Sequence, residues 1–153
     1  MPQAAPLVSD FTILGNYGEL HDDGGFIANI NKVEAKVTVA KLDVNRSGTR
    51  VTGYKRGAIT GEGTMTGFKV TSRWVELGIN EMSDETNPPT PISLVVRLDD
   101  PEALGTEEIT IGFVKFWEFP FGYNVGDLIM EELPFTFESI ELTTPLTGDF
   151  TTP

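Results

Sequence analysis

Alternation of apolar and polar positions recurs along the chain and predicts β-strands. In "KVEAKVTVAKL", Val33, Ala35, Val37 and Val39 share one face, while most of the residues between them are charged. This alternation is typical of a half-buried strand. The segments "PISLVVRL", "EEITIGFVKFW" and "ELPFTFESI" alternate in the same way, and the turn sequences "HDDGG", "NRSG" and "NPPTP" divide them. The pattern therefore predicts a mainly β, antiparallel fold.

One segment has a different period. The sequence "TSRWVELGINEM" repeats its apolar positions at helical spacing, which predicts one short helix near residues 72–82, with Thr71 or Ser72 at its N-cap. We expect the helix to pack on the last alternating strand. The predicted core residues are Val37, Trp74, Ile79, Leu133, Phe135 and Phe137.

The stretch "GAITGEGTMTGFKV" alternates without supplying much to bury. One parity carries the polar side chains of Thr60, Glu62, Thr64 and Thr66, and the other has four glycines among six positions. Glycine inside a strand weakens it and marks a bulge or a close approach of other groups.

Aromatic residues concentrate in "FVKFWEFPFGY". Phe113 and Trp117 have the parity of Ile109 and Ile111, which predicts a place in the core. A stretch that is apolar on both faces is either covered twice or part of an interface. The candidates for a subunit interface are Phe116, Phe119, Phe121 and Tyr123.

Composition limits the chemistry. The 153 residues predict a single domain, residues 1–153, with extended N- and C-terminal segments, and the N-terminal sequence lacks the features of a signal peptide. The formal net charge is −12 and there is no cysteine, which argues against binding phosphates through basic clusters and against thiolate metal sites. The single histidine, His21, lies in a predicted turn, and the paired carboxylates are sequence neighbours. No catalytic, cofactor or metal site is expected, and the chain is not expected to be an enzyme.

Four segments, taken in their order along the chain, resemble the sequences of a known protein family. The segments "GELHDDGG", "VTGYKRGAITGEGTMTGFKVTSRW", "LDDPEALGTEEITI" and "EELPFTFESIEL" resemble tail-tube proteins of contractile-tailed phages and of PBSX-type defective prophages. The resemblance spans residues 11–142 and is weakest in "KFWEFPFGYNVGDLIM". The matching positions are Thr52, Gly53, Lys55, Gly61, Gly63, Thr64, Thr66, Lys69–Ser72, Glu131, Glu132 and Pro134–Glu138.

The resemblance implies a two-sheet, barrel-like β-sandwich whose inner strands join a hexameric ring β-barrel, with a helix on its flank. Rings would stack into a hollow tube related to the inner tubes of R-type bacteriocins and type VI secretion. The implied partners are further copies of the chain, tail sheath, tape-measure, baseplate or tail-tip and tail-terminator proteins, with non-specific passage of DNA and no stable membrane insertion. The implied location is a virion or phage-tail-like particle assembled in the bacterial cytoplasm, and Thr60, Glu62, Thr64 and Thr66 would face an acidic lumen. Ile59 and Met65 would then face the core of the subunit, and the glycines of the same parity, Gly61, Gly63 and Gly67, would admit a second layer of structure.

A second function remains open at this point. A carbohydrate-binding or receptor-binding β-sandwich of a phage baseplate would also be mainly β. In that case Trp74, Trp117 and Tyr123 would serve as stacking platforms for sugar rings.

Overall fold

The computed structural model describes residues 3–83 and 92–152. Within these ranges the chain forms an antiparallel, mainly β fold with one short α-helix, which confirms the predicted fold class. The predicted turn at 87–91 lies outside the described residues. The elements are β1 (Gly18–Asp22), β2 (Gly25–Phe26), β3 (Ile30–Val44), β4 (Gly53–Phe68), α1 (Arg73–Met82), β5 (Ile92–Leu98), β6 (Glu107–Phe116), β7 (Met130–Phe137) and β8 (Ser139–Thr144).

Two sheets share one strand. The hairpin sheet consists of β3, β4, β7 and the end of β6, in that order. The second sheet consists of β2, β1, β5, the first part of β6, and β8. Strands β7 and β8 follow one another along β6, so that Phe116 pairs with Phe135 and Ile111 pairs with Ile140.

A bulge in β6 separates the two sheets. Strand β5 pairs Leu94 with Ile111 and Ile92 with Val114, so β6 carries one residue more than β5 between the two pairs. Phe113 takes up the extra residue with a φ of 53°, a left-handed conformation that is uncommon for a bulky side chain. The bulge reverses the parity of the strand, which leaves Phe113 and Trp117 exposed and buries Val114. The prediction that Phe113 and Trp117 lie in the core is therefore wrong.

The core lies between the two sheets and beneath the helix. Among the predicted core residues, Trp74, Leu133, Phe135 and Phe137 are buried. Phe116 packs between Trp74 and Phe135 in tilted and edge-on contacts, with ring centroids 5.1 and 6.0 Å away. The buried apolar cluster consists of Leu20, Ile27, Met65, Trp74, Leu94, Ile111, Val114, Leu133, Phe135 and Phe137.

Three residues expected to face the core are exposed. Val37 and Ile59 belong to the outer half of the β3–β4 hairpin, which extends beyond the last residue of β4 paired with β7, Gly61. Among the described residues no second layer covers that half, so Ile59 is 70% exposed. Ile79 is 62% exposed, because α1 buries Trp74 and turns the neighbouring arc of Leu77 and Gly78 inward. Five residues beyond Trp74, Ile79 lies on a different side of the helix.

The start of α1 is held without the expected side-chain cap. Ser72 occupies the N-cap position, but its side chain makes no capping hydrogen bond. Its carbonyl accepts the first helical hydrogen bond, from the amide of Glu76 at 2.8 Å. Arg73 forms an ion pair with Asp22 and lies over the ring of Trp74, which ties this end of the helix to β1.

The glycines of β4 accommodate aromatic rings from the neighbouring strand. Gly61 pairs with Phe137 and Gly63 pairs with Phe135 across the β4–β7 ladder. A Cβ atom added at Gly61 would lie 2.5 Å from the Phe137 ring, and one at Gly63 would lie 2.6 Å from the Phe135 ring. The close approach expected from the sequence is thus made within the hairpin sheet rather than by a second layer.

The buried residues Asp100 and Glu131 differ in the partners of their carboxyl groups. Asp100 accepts hydrogen bonds from the amides of Leu14 and Glu102, both at 3.0 Å, and so fixes the loop after β5. Both side-chain oxygens of Glu131, at the start of β7, lack a hydrogen-bond partner within the described residues. Burial raises the pKa of the Glu131 carboxyl, and the positive charge of Lys69 opposes that rise only in part.

The packing of Phe135 predicts a large loss of stability on truncation. We expect Phe135→Ala to lower the free energy of unfolding of the isolated subunit by about 3–5 kcal/mol, because the ring is fully buried over Gly63. Ile79→Ala, at the exposed helix position, should cost less than about 1 kcal/mol. Urea unfolding measures both values, and equal losses in the two variants would contradict the assigned faces.

The buried Glu131 predicts a pH-dependent stability. Because folding raises its pKa above the unfolded value near 4.5, protonation stabilises the folded state. That contribution is fully present below the unfolded pKa and is lost as the pH rises through the folded pKa. We expect Glu131→Gln to melt at a higher temperature than the wild type at neutral pH, with the difference closing at about pH 4. Glu132→Gln, at the exposed neighbouring position, is the control, and a lower melting temperature for Glu131→Gln at neutral pH would contradict the assignment.

Candidate assembly surfaces

The hairpin sheet has one polar face. The cross-strand pairs Thr38–Thr60, Lys36–Glu62, Glu34–Thr64 and Lys32–Thr66 all share the parity that points away from the buried rings of β7. Thr60 and Glu62 are exposed, and Thr64 and Thr66 are half-buried. The structure therefore brings the four lumen-facing candidates together on one surface, to which β7 adds Pro134 and Thr136.

Most charges on this polar face are balanced by ion pairs; Glu132, which lies opposite Thr66 on the same face, is in none of the ion pairs of the described residues. Lys36 Nζ lies 3.4 Å from Glu62 Oε1, Lys32 Nζ lies 3.3 Å from Glu34 Oε1, and Lys115 Nζ lies 3.7 Å from Glu138 Oε1. All six side chains are more than half exposed, so each pair contributes at most about 1 kcal/mol to folding. The net charge of −12 is thus not concentrated on the polar face. The polar face is closer to neutral than the wall of an acidic lumen would be.

The opposite face of the hairpin carries an exposed apolar stripe. Strand pairing places Val37 opposite Gly61 and Val39 opposite Ile59, on the face that holds Met65 and Val33 closer to the core. Beyond a register shift between Val39 and Lys41, the same face continues toward the hairpin end. The apolar stripe consists of Val37, Val39, Leu42, Val44 and Ile59, all of them exposed.

The hairpin stands beside β8 with a groove between them. Val37 and Ile59 form one wall, Ile140 forms the other, and Phe137 lies among the lining residues. The apolar stripe is therefore continuous with the hydrophobic core through Phe137. Sequence alternation signalled the apolar positions of β3 as far as Val39, but the sequence did not show that the covering layer stops short of them.

The aromatic interface candidates fall into two groups. Phe116 and Phe119 are partly buried against the core of this chain, and Phe119 packs where Gly78 leaves room on α1. At these positions the β6–β7 loop folds back over the helix, and the assignment of both residues to a subunit interface stays a prediction. Phe121 and Tyr123 are each 83% exposed and stay candidates for an interface.

The stacking platforms needed by a sugar-binding module are not available together. Trp74 is buried beneath Phe116, while Trp117 is exposed and donates a 2.8 Å hydrogen bond from Nε1 to Thr136 Oγ1. Tyr123 lies in the loop that precedes β7. A flat aromatic surface of the expected three residues therefore does not form.

The single histidine interacts with a carboxylate on its own strand. His21 Nε2 lies 3.0 Å from Glu19 Oε2 on the same strand, two residues away. Across residues 3–83 and 92–152, no group of three or more His, Asp or Glu side chains is arranged to hold a metal ion. Over the same ranges, no helix has the length and hydropathy needed to span a membrane.

Sequence comparisons identify the family of this chain. The family model described as phage tail tube protein matches residues 7–144. The chain is 35% identical over 141 residues to the phage-like element PBSX protein XkdM of Bacillus subtilis (strain 168), covering 91% of this chain and 95% of that protein. It is 36% identical over 142 residues to the uncharacterized protein YqbM of the same strain, with the same shares covered.

Solved structures share the fold at low sequence identity. A chain of an extracellular contractile injection system, the PVC sheath-tube complex in the extended state, matches with a TM-score of 0.66 and 11% identity, covering 90% of this chain and 95% of that chain. A chain of the anti-feeding prophage tube-terminating cap matches with a TM-score of 0.65 and 8% identity, covering 95% of both chains. The family match covers most of the sequence, and the chain belongs to the phage tail tube protein family.

Proposed function

We propose that this chain is the repeating subunit of the inner tube of a contractile phage tail or phage-tail-like particle. Six copies form a ring, rings stack into a hollow tube, and the tube conducts DNA or ions across a target envelope after a sheath contracts. The observation that carries the proposal is the hairpin sheet, which has a polar face on one side and an uncovered apolar stripe on the other.

The edges of the hairpin sheet support ring closure. Strand β3 spans 15 residues and is the outermost strand of the described sheet. At the other end of the sheet, β6 contributes only the pairs at Lys115 and Phe116. Long unpaired edges invite further strand pairing, and closing a ring of copies into one barrel removes them. The polar face then lines the lumen, and the apolar stripe packs on a neighbouring copy.

The proposed partners follow from the relatives. Chains of the same fold occur in a sheath-tube complex and in a tube-terminating cap. Tail sheath, tail-terminator, tape-measure and baseplate proteins are thus the proposed partners, and a virion or tail-like particle assembled in the host cytoplasm is the proposed location. The domain is proposed to span residues 1–153 as one unit, whose chain ends are tied by a 2.9 Å hydrogen bond from the Val8 amide to the Phe150 carbonyl.

The overall proposal is tested by imaging the purified protein. We expect negative-stain micrographs to show stacked hollow rings without any added sugar or partner. A protein that stays monomeric at all concentrations, and that binds a polysaccharide instead, would contradict the proposal.

Neighbouring residues on opposite faces of β4 predict opposite effects on assembly. We expect Ile59→Glu to abolish ring formation, because it places a carboxylate in the apolar stripe, where burial against another copy leaves the charge unpaired. Thr60→Glu adds the same group to the polar face and should leave rings intact. Sedimentation of both variants measures the outcome, and normal rings from Ile59→Glu would contradict an interface at the stripe.

The charge of the polar face predicts the behaviour of the lumen. Glu62→Lys removes the partner of Lys36 and, in a ring of six, adds about 12 positive charges to the wall. We expect tubes of normal number, with DNA delivery that falls and partly recovers at raised salt, because bound phosphates release counterions. In a particle without DNA, ion leakage should change far less.

A matched control for this lumen test lies outside the hairpin sheet. Glu102→Lys makes the same change of charge in the exposed loop after β5 and should leave delivery unchanged. Equal delivery by Glu62→Lys and the wild type, with normal particles, would argue that Glu62 does not line the channel. Failure of Glu62→Lys to assemble would place that residue at a contact between copies.

A further inference from the structure

An indole ring lies on the otherwise polar face of the hairpin sheet. Trp117 follows the last residue of β6, and its amide donates a 3.4 Å hydrogen bond to the Pro134 carbonyl. Phe116 pairs with Phe135 one position earlier. The hydrogen bond therefore continues the β6–β7 ladder and puts Trp117 on the same face as Pro134. Among the described residues of the polar face, Trp117 is the only aromatic residue.

The indole is held by one hydrogen bond that leaves its carbon surface open. Trp117 Nε1 donates this bond to Thr136 Oγ1 at 2.8 Å, which satisfies the only polar atom of the ring. The rest of the side chain is 63% exposed and offers apolar area to a partner. A side chain that is already fixed loses little conformational freedom when a partner covers it.

The indole lines a groove of about 460 Å³ on the polar face. The lining also includes Glu34 and the ion pair between Lys36 and Glu62. Trp117 supplies the exposed aromatic ring of this groove, and the charged side chains around it carry both signs. An aromatic anchor within a polar surround is the usual composition of a contact site for another macromolecule.

The charges around the indole favour a polypeptide over a nucleic acid. A single-stranded nucleic acid would stack its bases on the ring, but it also needs basic groups for its phosphates. Each described lysine of the polar face already forms an ion pair with a glutamate, and Glu132 adds a carboxylate that is in none of these pairs. A polypeptide with apolar side chains and no excess of negative charge avoids that repulsion.

We propose that Trp117 anchors a polypeptide inside the tube by packing against its apolar side chains. This inference rests on the proposed function, in which the polar face lines the lumen. Each copy in a ring contributes one indole, and successive rings repeat the set, so contacts that are weak singly act together. An apolar contact of this size holds the polypeptide while the tube is at rest and still allows it to leave, as passage through a channel requires.

Retention of a peptide by assembled tubes tests the anchor. The probe is a synthetic helical peptide of leucine, lysine and glutamate with no net charge, present while the purified full-length chain assembles. We expect wild-type tubes to retain the peptide on sedimentation and Trp117→Ala tubes to retain about tenfold less, because the apolar contact is lost. Trp117→Phe keeps an aromatic ring and should restore most of the retention.

A matched control removes an exposed ring from elsewhere in the subunit. Phe26 lies in the second sheet and is 57% exposed, close to the exposure of Trp117. We expect Phe26→Ala to leave retention of the peptide unchanged. A second control replaces the leucines of the peptide with serine, which should lower its retention by wild-type tubes to the level of Trp117→Ala.

The fluorescence of the indole reports what covers it. The chain has two tryptophans, and Trp74 is buried, so the difference between the emission of the wild type and of Trp117→Phe isolates Trp117. We expect this emission to stay at long wavelength when tubes form alone and to move to shorter wavelength when the peptide is present. A move to shorter wavelength on assembly without peptide would place the indole between copies and overturn the anchor.

The remaining outcomes separate this inference from the function on which it rests. Normal retention by Trp117→Ala tubes, or failure of that variant alone to form tubes, would overturn the anchor and leave the tube function standing. Stronger retention of single-stranded oligothymidine than of the peptide would overturn the choice of a polypeptide. A wild-type protein that forms no tubes would overturn the proposed function as well.

Discussion

The packing of two phenylalanine rings over two glycines determines the geometry of the rest of the molecule. Phe135 and Phe137 of β7 lie over Gly63 and Gly61 of β4. A side chain at either glycine position would collide with the ring above it. Because strand side chains alternate with a period of two, a slip by one residue would exchange the two faces of the sheet. The ring-over-glycine pairs oppose such a slip. They direct the threonines and Glu62 to one face and the apolar stripe to the other.

Sequence alternation predicted the elements well and their extent of burial less well. The parity of Leu133, Phe135 and Phe137 was sufficient to predict a buried face, and the helical period placed α1 to within one residue. Val37 and Ile59 follow the same alternation yet lie exposed. Alternation shows which residues lie on the same face of a strand, but it does not show whether another layer of the protein covers that face. Ile79 shows the same limit on a helix, where an apolar residue falls outside the buried arc.

The exposed surfaces of the subunit were visible from the sequence only in part. The bulge at Phe113 was not predicted, although Gly112, a glycine inside an alternating segment, is the kind of residue that marks a bulge. That single extra residue reversed the expected orientation of Phe113 and Trp117 and transferred Phe116 to the core.

The bulge in β6 also has a mechanical consequence. One continuous strand is hydrogen-bonded to β7 in the hairpin sheet and to β5 and β8 in the second sheet. A force applied along the wall of a tube would pass from the hairpin sheet to the second sheet through covalent bonds and ladder hydrogen bonds loaded in shear, not only through side-chain packing. Sliding of one layer over the other would require breaking several backbone hydrogen bonds at once. The shared strand would thus make the subunit stiff along the direction of β6.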